Sequence, residues 1–395
     1  MFDVRAHFGK WLLVGAMAAA PVGAEVIFEE NFDDQPDWHS GLTENITSAN
    51  PAGLPDRVQR QSTHRIPAGW YSVRQDPAWS PSLGDADRHE AIEILSSNRE
   101  KARGQQGKSF VSWRDSYSAG WNNWASESQM VVIFPDGLSE VYVEFWIRFS
   151  EEWTRTFISG KPAATSKIFR VSSWSGEGSE YGAFSDGNLG PIALWDYQVN
   201  SYGARNRVSF RGGPHSDNYD FNDEDIPGLP RSFSGIGDLN LNFTDNVQGM
   251  ATDGGNPKIK DKVNGGYLGE TGSVTHDQVF GSNDAWTKLA FYVKLNSAPD
   301  KSDGVFKQWL DDQQILSVTN IPWIRYSENK DMNAKWNLVA IGGNDFFQVY
   351  DNSLRHEEWY SIDDLVIRSD IPESLIGGSL SDSIPPSPPS RIYVE

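Results

Sequence analysis

One stretch, residues 140–149, constrains the fold more than any other part of the chain. Its odd-numbered positions from 141 to 149 are all apolar. Its even-numbered positions after 140 are Tyr142, Glu144, Trp146 and Arg148. Because side chains on a β-strand point alternately to opposite faces, this pattern predicts a strand with one face in a hydrophobic core. The opposite face carries two aromatic rings, a carboxylate and a guanidinium, which can stack on a sugar ring and hydrogen-bond its hydroxyls.

Comparable runs recur along the chain, rich in Val, Ile, Phe, Tyr and Trp and bounded by Gly, Pro, Asn or Asp clusters. They cover residues 26–32, 91–95, 109–116, 129–134, 166–172, 192–199, 207–211, 287–295, 304–310, 314–318, 338–341 and 360–368. Only residues 98–103 and 371–375 resemble single helical turns. Asp311 and Asp312 stand between two runs, at a position typical of a hairpin turn. The sequence therefore predicts an all-β fold.

The N-terminus has the features of an export signal. Arg5 and Lys10 precede an apolar stretch, residues 11–22, which is too short to span a bilayer. The small residues that end at Ala24 fit a cleavage site. We therefore expect residues 1–24 to be a signal peptide and the mature protein to be secreted or periplasmic.

The rest of the chain is predicted to divide unequally. Residues 25–375 are expected to form one β-sandwich domain, in which residues 212–283, dense in Gly, Asn and Asp, form a long loop-rich insertion. Residues 376–395 contain a Pro/Ser-rich run and are interpreted as a tail or linker. No later segment looks long and apolar enough for a membrane span.

The composition limits the classes of partner. The chain has no cysteine, so its core must be sufficient without disulfides, and 16 Trp, 20 Phe and 13 Tyr supply large buried areas. The net charge of −20 disfavours nucleic acid as a partner. We expect a monomer that acts on an extracellular polysaccharide.

Several segments together resemble the concanavalin A-like lectin/glucanase superfamily. They are residues 25–32, 91–95, 107–114, 142–149, 166–171, 304–312 and 360–367. The resemblance implies a jelly-roll β-sandwich of two antiparallel sheets in which the strands at 142–149 and 166–171 adjoin. It also implies a carbohydrate-active protein, a class that includes secreted polysaccharide lyases, glycosidases and lectins.

The activity motifs of that superfamily are not intact in this chain. The Glu-x-Asp-x-x-Glu strand of its glucanases is absent, as are the Arg-x-Glu-x-Arg, Gln-Ile-His and Tyr-x-Lys-x-Gly-x-Tyr strands of jelly-roll alginate lyases. The segment most similar to Gln-Ile-His is 167–169, which has Phe169 in place of His. Catalytic residues therefore cannot be transferred directly.

Lyase chemistry on uronic acids needs a group that neutralises the substrate carboxylate, a base and an acid. Lys167 and Arg170 are candidates for the catalytic contacts, although a regular strand would place them on opposite faces. Tyr142, Glu144, Trp146 and Arg148 are candidates for substrate binding. Structural ion pairing, for instance of Glu144 with Arg148 or Lys167, is the alternative interpretation.

Proton transfer is assigned to side chains in or beside loops. His215 lies in the insertion, and His356 and Tyr360 lie at the start of the last predicted strand. Histidine is the usual proton-transfer group near neutral pH, although a loop histidine can also be ordinary polar surface.

No metal or cofactor is required by these motifs, because the chain has no cysteine and no His-Glu-x-x-His sequence. The acidic residues at 222–225 and the pair Asp363-Asp364 leave a structural Ca²⁺ open.

The sequence therefore favours a secreted polysaccharide lyase that cleaves a uronate-containing polymer by β-elimination. A non-catalytic lectin-like module and a glycoside hydrolase with acids on neighbouring strands remain alternatives.

Overall fold

The computed structural model describes most of the chain between residues 25 and 376. The described ranges are 25–40, 58–60, 66–75, 89–115, 124–151, 153, 164–181, 189–200, 203–215, 219–221, 224–227, 237–243, 258–269, 273–328, 333–347 and 357–376. These residues form two antiparallel sheets packed face to face as a β-sandwich. The predicted signal peptide and the predicted tail beyond residue 376 lie outside the described residues.

In the described part of the chain, sheet A has nine strands, eight of which follow one another in hydrogen-bonded order, while the ninth pairs with one of these eight. In spatial order it contains β16 (Gln313–Ile321), β15 (Gly304–Leu310), β14 (Thr287–Lys294), β8 (Glu140–Phe149), β18 (Glu357–Arg368), β6 (Phe110–Asp115), β5 (Ile92–Ile94) and β2 (Trp38–His39), with β1 (Val26–Glu30) paired to β18.

Sheet B is built in the same way. In spatial order it contains β12 (Tyr219–Asp220), β11 (Gly203–Gly212), β10 (Leu189–Asn200), β9 (Ala164–Trp174), β17 (Trp336–Phe347), β7 (Trp124–Leu138), β4 (Ser72–Gln75) and β3 (Val58–Arg60), with β13 (Gly237–Asn242) paired to β11.

The helical elements of the described residues are short. They are the 3-10 helices Ser96–Lys101 and Arg103–Gln105 and the α-helices α1 (His276–Phe280) and α2 (Glu373–Ile376). Within the predicted insertion, β12, β13 and α1 are ordered elements, and Thr275 caps α1 with a reciprocal pair of hydrogen bonds to Gln278.

The predicted all-β jelly-roll sandwich is confirmed, and every strand run predicted from the sequence overlaps an observed strand. The turn between β15 and β16 is also as predicted. Asp311 and Asp312 have φ values of 47° and 64°, the left-handed pair of a two-residue hairpin turn.

Aromatic residues fill the space between the sheets. Phe291 of β14 stacks on Phe169 of β9 with a centroid distance of 4.3 Å, and Phe145 lies 5.6 Å from Phe169. The alternate residues of β8 from Val141 to Phe149 all belong to this core. The predicted apolar face of β8 is therefore the inner face of sheet A.

One end of this interior is polar. Arg114 of β6 contacts two carboxylates, donating through Nε to Glu358 at 2.8 Å and pairing through Nη1 with Asp345 of β17. The same Nη1 donates to the Ser166 hydroxyl of β9 at 2.7 Å. Trp153 covers the guanidinium at 3.4 Å. We call Arg114, Glu358, Asp345 and Ser166 the interior ion cluster; it joins sheet A to sheet B.

Burial governs the ionisation of this cluster. It raises the pKa of the Asp345 carboxyl to about 6, although the Arg114 charge acts in the opposite direction. A carboxyl with such a pKa changes its charge in the mildly acidic range.

A second polar bridge between the sheets lies among the side chains of β10, β11 and β15. Asn206 donates to the Gln308 side chain at 2.7 Å and accepts from Gln308 at 2.9 Å. The same Asn206 oxygen accepts from the indole of Trp195 at 2.8 Å. These polar groups are therefore satisfied within the core.

Candidate functional site

The outer face of β8, predicted to contact substrate, is largely covered by the protein itself. Arg148 is 6% exposed and donates to the Glu100 carbonyl at 2.7 Å. Its guanidinium lies 5.0 Å from the ring of Trp359. The ring of Trp146 is covered by the Arg103 guanidinium at 4.0 Å. Residues of the 3-10 segment between 96 and 105 therefore occupy much of this surface.

The other end of the same face is also internally paired. The buried Tyr142 hydroxyl donates to Glu144 at 2.5 Å, and Glu144 pairs with Lys288 at 2.9 Å. Burial raises the pKa of Tyr142, with the Glu144 charge adding to the effect. Ile371 and Leu375 pack over the aromatic cluster that contains Tyr142. Sugar contact by the four β8 residues stays a prediction, but the structure gives each of them protein partners.

Lys167 and Arg170 lie on the other sheet, which corrects the expected adjacency of these strands. β8 pairs with β14 and β18, whereas β9 pairs with β10 and β17. The two strands face each other across the core, so the basic residues of β9 are on the opposite side of the sandwich from Arg148. The expected single cluster of Arg148, Lys167 and Arg170 is therefore not formed.

A β-bulge also corrects the expected orientation of Lys167. Lys167 is opposite Asp196 and Phe169 is opposite Trp195, so Ile168 is an extra residue in β9. Because this extra residue shifts the alternation of side chains by one position, Lys167 and Arg170 both lie on the outer face of sheet B. The sequence predicted the opposite because it assumed a regular strand.

The outer face of sheet B is rich in cations. By register it carries Arg74, Lys167, Arg170, Arg205, Arg207 and Arg211. The acidic partners on this face include Asp196, which lies 3.4 Å from Arg207, and Asp220, which lies 2.6 Å from Arg211. In a chain of net charge −20, this face is a local concentration of positive charge.

Several of these groups lie on one line across the sheet. Gln129 of β7 is opposite Arg74 on one side and Gly342 of β17 on the other, and Lys167 is opposite Asp196, which is opposite Arg207. Because neighbouring strands are about 4.8 Å apart, Arg74 and Lys167 are separated by roughly 14 Å along this line. Positive charges therefore recur at intervals across the strands.

Arg170 lies beside this line and is 4% exposed. Its Nη2 donates to the Glu180 carbonyl at 3.0 Å, which fixes the guanidinium over the sheet. Its cross-strand neighbours are Leu194 and Ala340, part of an apolar patch on the same face. Arg170 is therefore as enclosed by protein on sheet B as Arg148 is on sheet A.

Tyr181 was not predicted as a site residue but belongs to this face. Its hydroxyl shares a hydrogen bond of 2.7 Å with Ser72, and the Arg74 guanidinium lies 5.4 Å from its ring. Burial raises the pKa of Tyr181, which keeps the hydroxyl protonated. It is therefore suited to donate a proton rather than to accept one.

The predicted proton-transfer residues are dispersed. His215 is half-buried in the turn that follows β11. Tyr360 is 2% exposed, lies between the sheets, and has its pKa raised by burial. His356 lies outside the described residues. Their catalytic roles stay predictions, and the structure does not bring Tyr360 to the outer face of sheet B.

The expected acidic Ca²⁺ ligands have other contacts where they are described. Asp363 accepts from the Arg103 backbone at 2.8 Å, and Asp364 pairs with the Arg103 side chain. Asp225 pairs with Arg325, while residues 222–223 lie outside the described part of the chain. No group of three or more His, Asp or Glu side chains suited to a metal ion occurs among the described residues.

The described residues also contain no helix with the length and apolar character required to cross a bilayer.

Comparison with known protein families and with curated proteins finds no match. Among solved structures, the alginate lyase Aly36B is 13% identical over 86% of this chain and 95% of that chain, with a TM-score of 0.37. The alginate lyase AlyC3 with dimannuronate is 8% identical over 70% and 77%, with a TM-score of 0.34. The botulinum neurotoxin serotype C1 binding domain is 10% identical over 81% and 49%, with a TM-score of 0.29. At this level of similarity, the comparisons carry no argument about a binding site in this chain.

Proposed function

We propose that this is an exported carbohydrate-active protein that binds a uronate-containing polysaccharide on the outer face of sheet B and cleaves it by β-elimination. The observation that carries the proposal is the concentration of six Lys and Arg side chains on this face of an acidic chain. A polymer with a carboxylate on each sugar complements cations that recur at intervals of a few strands.

The reaction requires three tasks at one sugar. The C5 proton is removed, the bond from C4 to the glycosidic oxygen breaks, and that oxygen takes up a proton as the C4–C5 double bond forms. Neutralising the substrate carboxylate stabilises the negative charge that develops at C5. We assign that task to Arg170, whose guanidinium is held in one position by the Glu180 carbonyl.

Lys167 and Tyr181 are the proton-transfer groups that we assign on this face. Tyr181 is the group that we assign to protonating the departing oxygen. Burial raises its pKa, so it is protonated before the step, and it gives up the proton only as the C4–oxygen bond breaks and that oxygen becomes the stronger base. Lys167 is the group that we assign to removing the C5 proton. Its amine must be neutral before the step, and it then carries that proton as an ammonium opposite the Asp196 carboxylate. The two acids of a glycosidase are not needed in this scheme.

Two arginines of similar burial allow a matched test. Arg170 is 4% exposed on sheet B and Arg148 is 6% exposed on sheet A. Unsaturated product is measured by ultraviolet absorbance with alginate, glucuronan, pectate and glycosaminoglycans. Arg170→Lys is expected to lower kcat by about 10² or more, since it removes a positioned donor, whereas Arg148→Lys, whose predicted role is sugar binding, is expected to change KM rather than kcat. Absence of product with the whole panel, or equal losses in both variants, would refute the proposal.

Binding without cleavage is the second candidate. It is favoured by the Tyr181 hydroxyl, which is already engaged with Ser72 at 2.7 Å. In that case acidic oligosaccharides bind in a way that weakens with salt, as cation–carboxylate contacts require, and no unsaturated product forms.

A further inference from the structure

The position of Lys167 depends on irregular pairing on both sides of β9. Toward β10 the strand has the extra residue Ile168. Toward β17, the two cross-strand pairs Ile341–Phe169 and Asp345–Ser166 enclose three residues of β17, 342–344, but only two residues of β9, 167–168. The backbones approach so closely that a Cβ on Gly343 would lie 2.2 Å from the Lys167 carbonyl oxygen. The geometry of this bulge therefore decides where the Lys167 side chain points.

The cross-strand residue pair next to the bulge is bound by a side chain from the core. Ser166 and Asp345 are cross-strand partners directly before and after the irregular segment. Arg114 of sheet A binds both through one nitrogen, Nη1, while its Nε donates to Glu358 on its own sheet. The guanidinium thus connects sheet A to the bulge in sheet B.

We propose that Arg114 is a positioning residue that holds Lys167 on the outer face of sheet B through its contacts with Ser166 and Asp345. The placement of Lys167 is independent of the proposed function; only its use on a polysaccharide rests on that function. Arg114 itself is buried between the sheets and does not touch the outer face.

Ionisation of Asp345 links this device to pH. Around it lie Arg114 from β6, Glu358 and Tyr360 from β18, and Ser166 from β9. Beyond Ser166, its β10 partner Tyr197 is hydrogen-bonded to His276 of α1 at 2.6 Å. When Asp345 takes up a proton, its attraction for Arg114 weakens and Glu358 becomes the dominant partner of the guanidinium. The hydrogen bond from Arg114 to Ser166 then weakens, and the position of Lys167 next to Ser166 becomes less fixed.

Amine labelling tests the placement without any substrate. The full chain is treated briefly with an acetylating reagent, and modification of Lys167 is measured by mass spectrometry relative to Lys294, whose exposed amine reports the intrinsic pH effect. In the wild type, the Lys167/Lys294 ratio is expected to be higher at pH 5.5 than at pH 7.5. The change is up to about tenfold, the factor equivalent to one ordinary hydrogen bond.

Substitutions separate positioning from general stability. In Ser166→Ala and Asp345→Asn the ratio is expected to be high at both pH values, and Ser166→Thr, which keeps the hydroxyl, restores the wild-type pattern. The matched controls Ser361→Ala and Asp363→Asn, also buried but in sheet A, keep the wild-type pattern. Gly343→Ala displaces Lys167 directly and raises the ratio without removing Asp345.

Two results would overturn the inference: a wild-type ratio that is the same at both pH values, or equal changes in the sheet A controls. These outcomes are independent of catalysis. If no polyuronate is cleaved but the labelling pattern holds, the proposed function fails and the positioning role stands. If cleavage occurs, the same variants are expected to lower kcat more than they raise KM, because they displace a proton-transfer group, and the acid-side fall of kcat disappears in Asp345→Asn.

Discussion

The stability of the protein should depend on pH through Asp345. Its pKa rises from 3.8 to about 6 on folding because the carboxyl is buried. The folded state therefore holds this proton more tightly than the unfolded state, so the contribution is stabilising at low pH and is lost as the pH rises through 6. At about 1.36 kcal/mol per pKa unit, the whole effect is about 3 kcal/mol, of which about 2 kcal/mol falls between pH 4.5 and 7.5.

Urea unfolding followed by tryptophan fluorescence measures this effect. The difference in the free energy of unfolding between wild type and Asp345→Asn is expected to shift by about 2 kcal/mol in favour of the variant from pH 4.5 to 7.5. Asp37→Asn is the control. The hydrogen bonds from Ser96 lower the pKa of that exposed carboxyl, so its contribution varies only at lower pH. Parallel stability curves for wild type and Asp345→Asn would refute the raised pKa.

Two further predictions concern the frame of the sandwich. Gln308→Leu leaves the Asn206 amide without its partner in the core and is expected to lower the free energy of unfolding by about 1–3 kcal/mol, measured by urea denaturation. A matched Gln313→Leu change, at a half-buried position directly after the hairpin turn, should cost much less, and equal losses would contradict the bridge. Asp312→Gly removes the strain of a left-handed residue at φ 64° and should raise Tm by a few degrees. The gain is reduced by the loss of the ion pair between Asp312 and Lys288, which are 3.1 Å apart. A lower Tm in thermal unfolding would show that the ion pair dominates.

The fold could be predicted because strands such as β8 show a clear alternation of apolar and polar residues in the sequence. Val141 through Phe149 alternate with polar and aromatic residues, and the structure buries that apolar side. Strands such as β2, β3 and β12 were not predicted because two or three residues carry no periodicity. Pairing order was not readable either, since β8 and β9 are neighbours in sequence but belong to different sheets.

The candidate site was only partly readable. Lys167 and Arg170 were identified by residue type, but their common face depends on the bulge at Ile168, and no alternation rule anticipates an inserted residue. A usable signal lay in β11, where Arg205, Arg207 and Arg211 alternate with residues of the core. Tyr181 gave no signal, because its role arises from distant neighbours such as Ser72.

The covering of sheet A leaves its outer residues little freedom to vary one at a time. The Lys101 ammonium lies 5.1 Å from the ring of Trp113 and 5.3 Å from that of Trp359. Lys101 therefore belongs to the layer of side chains that cover sheet A and contact one another. Substitutions there must be accommodated together. For tethering the protein to a solid support, the exposed hairpin at Asp311–Asp312 is therefore a better point than this layer.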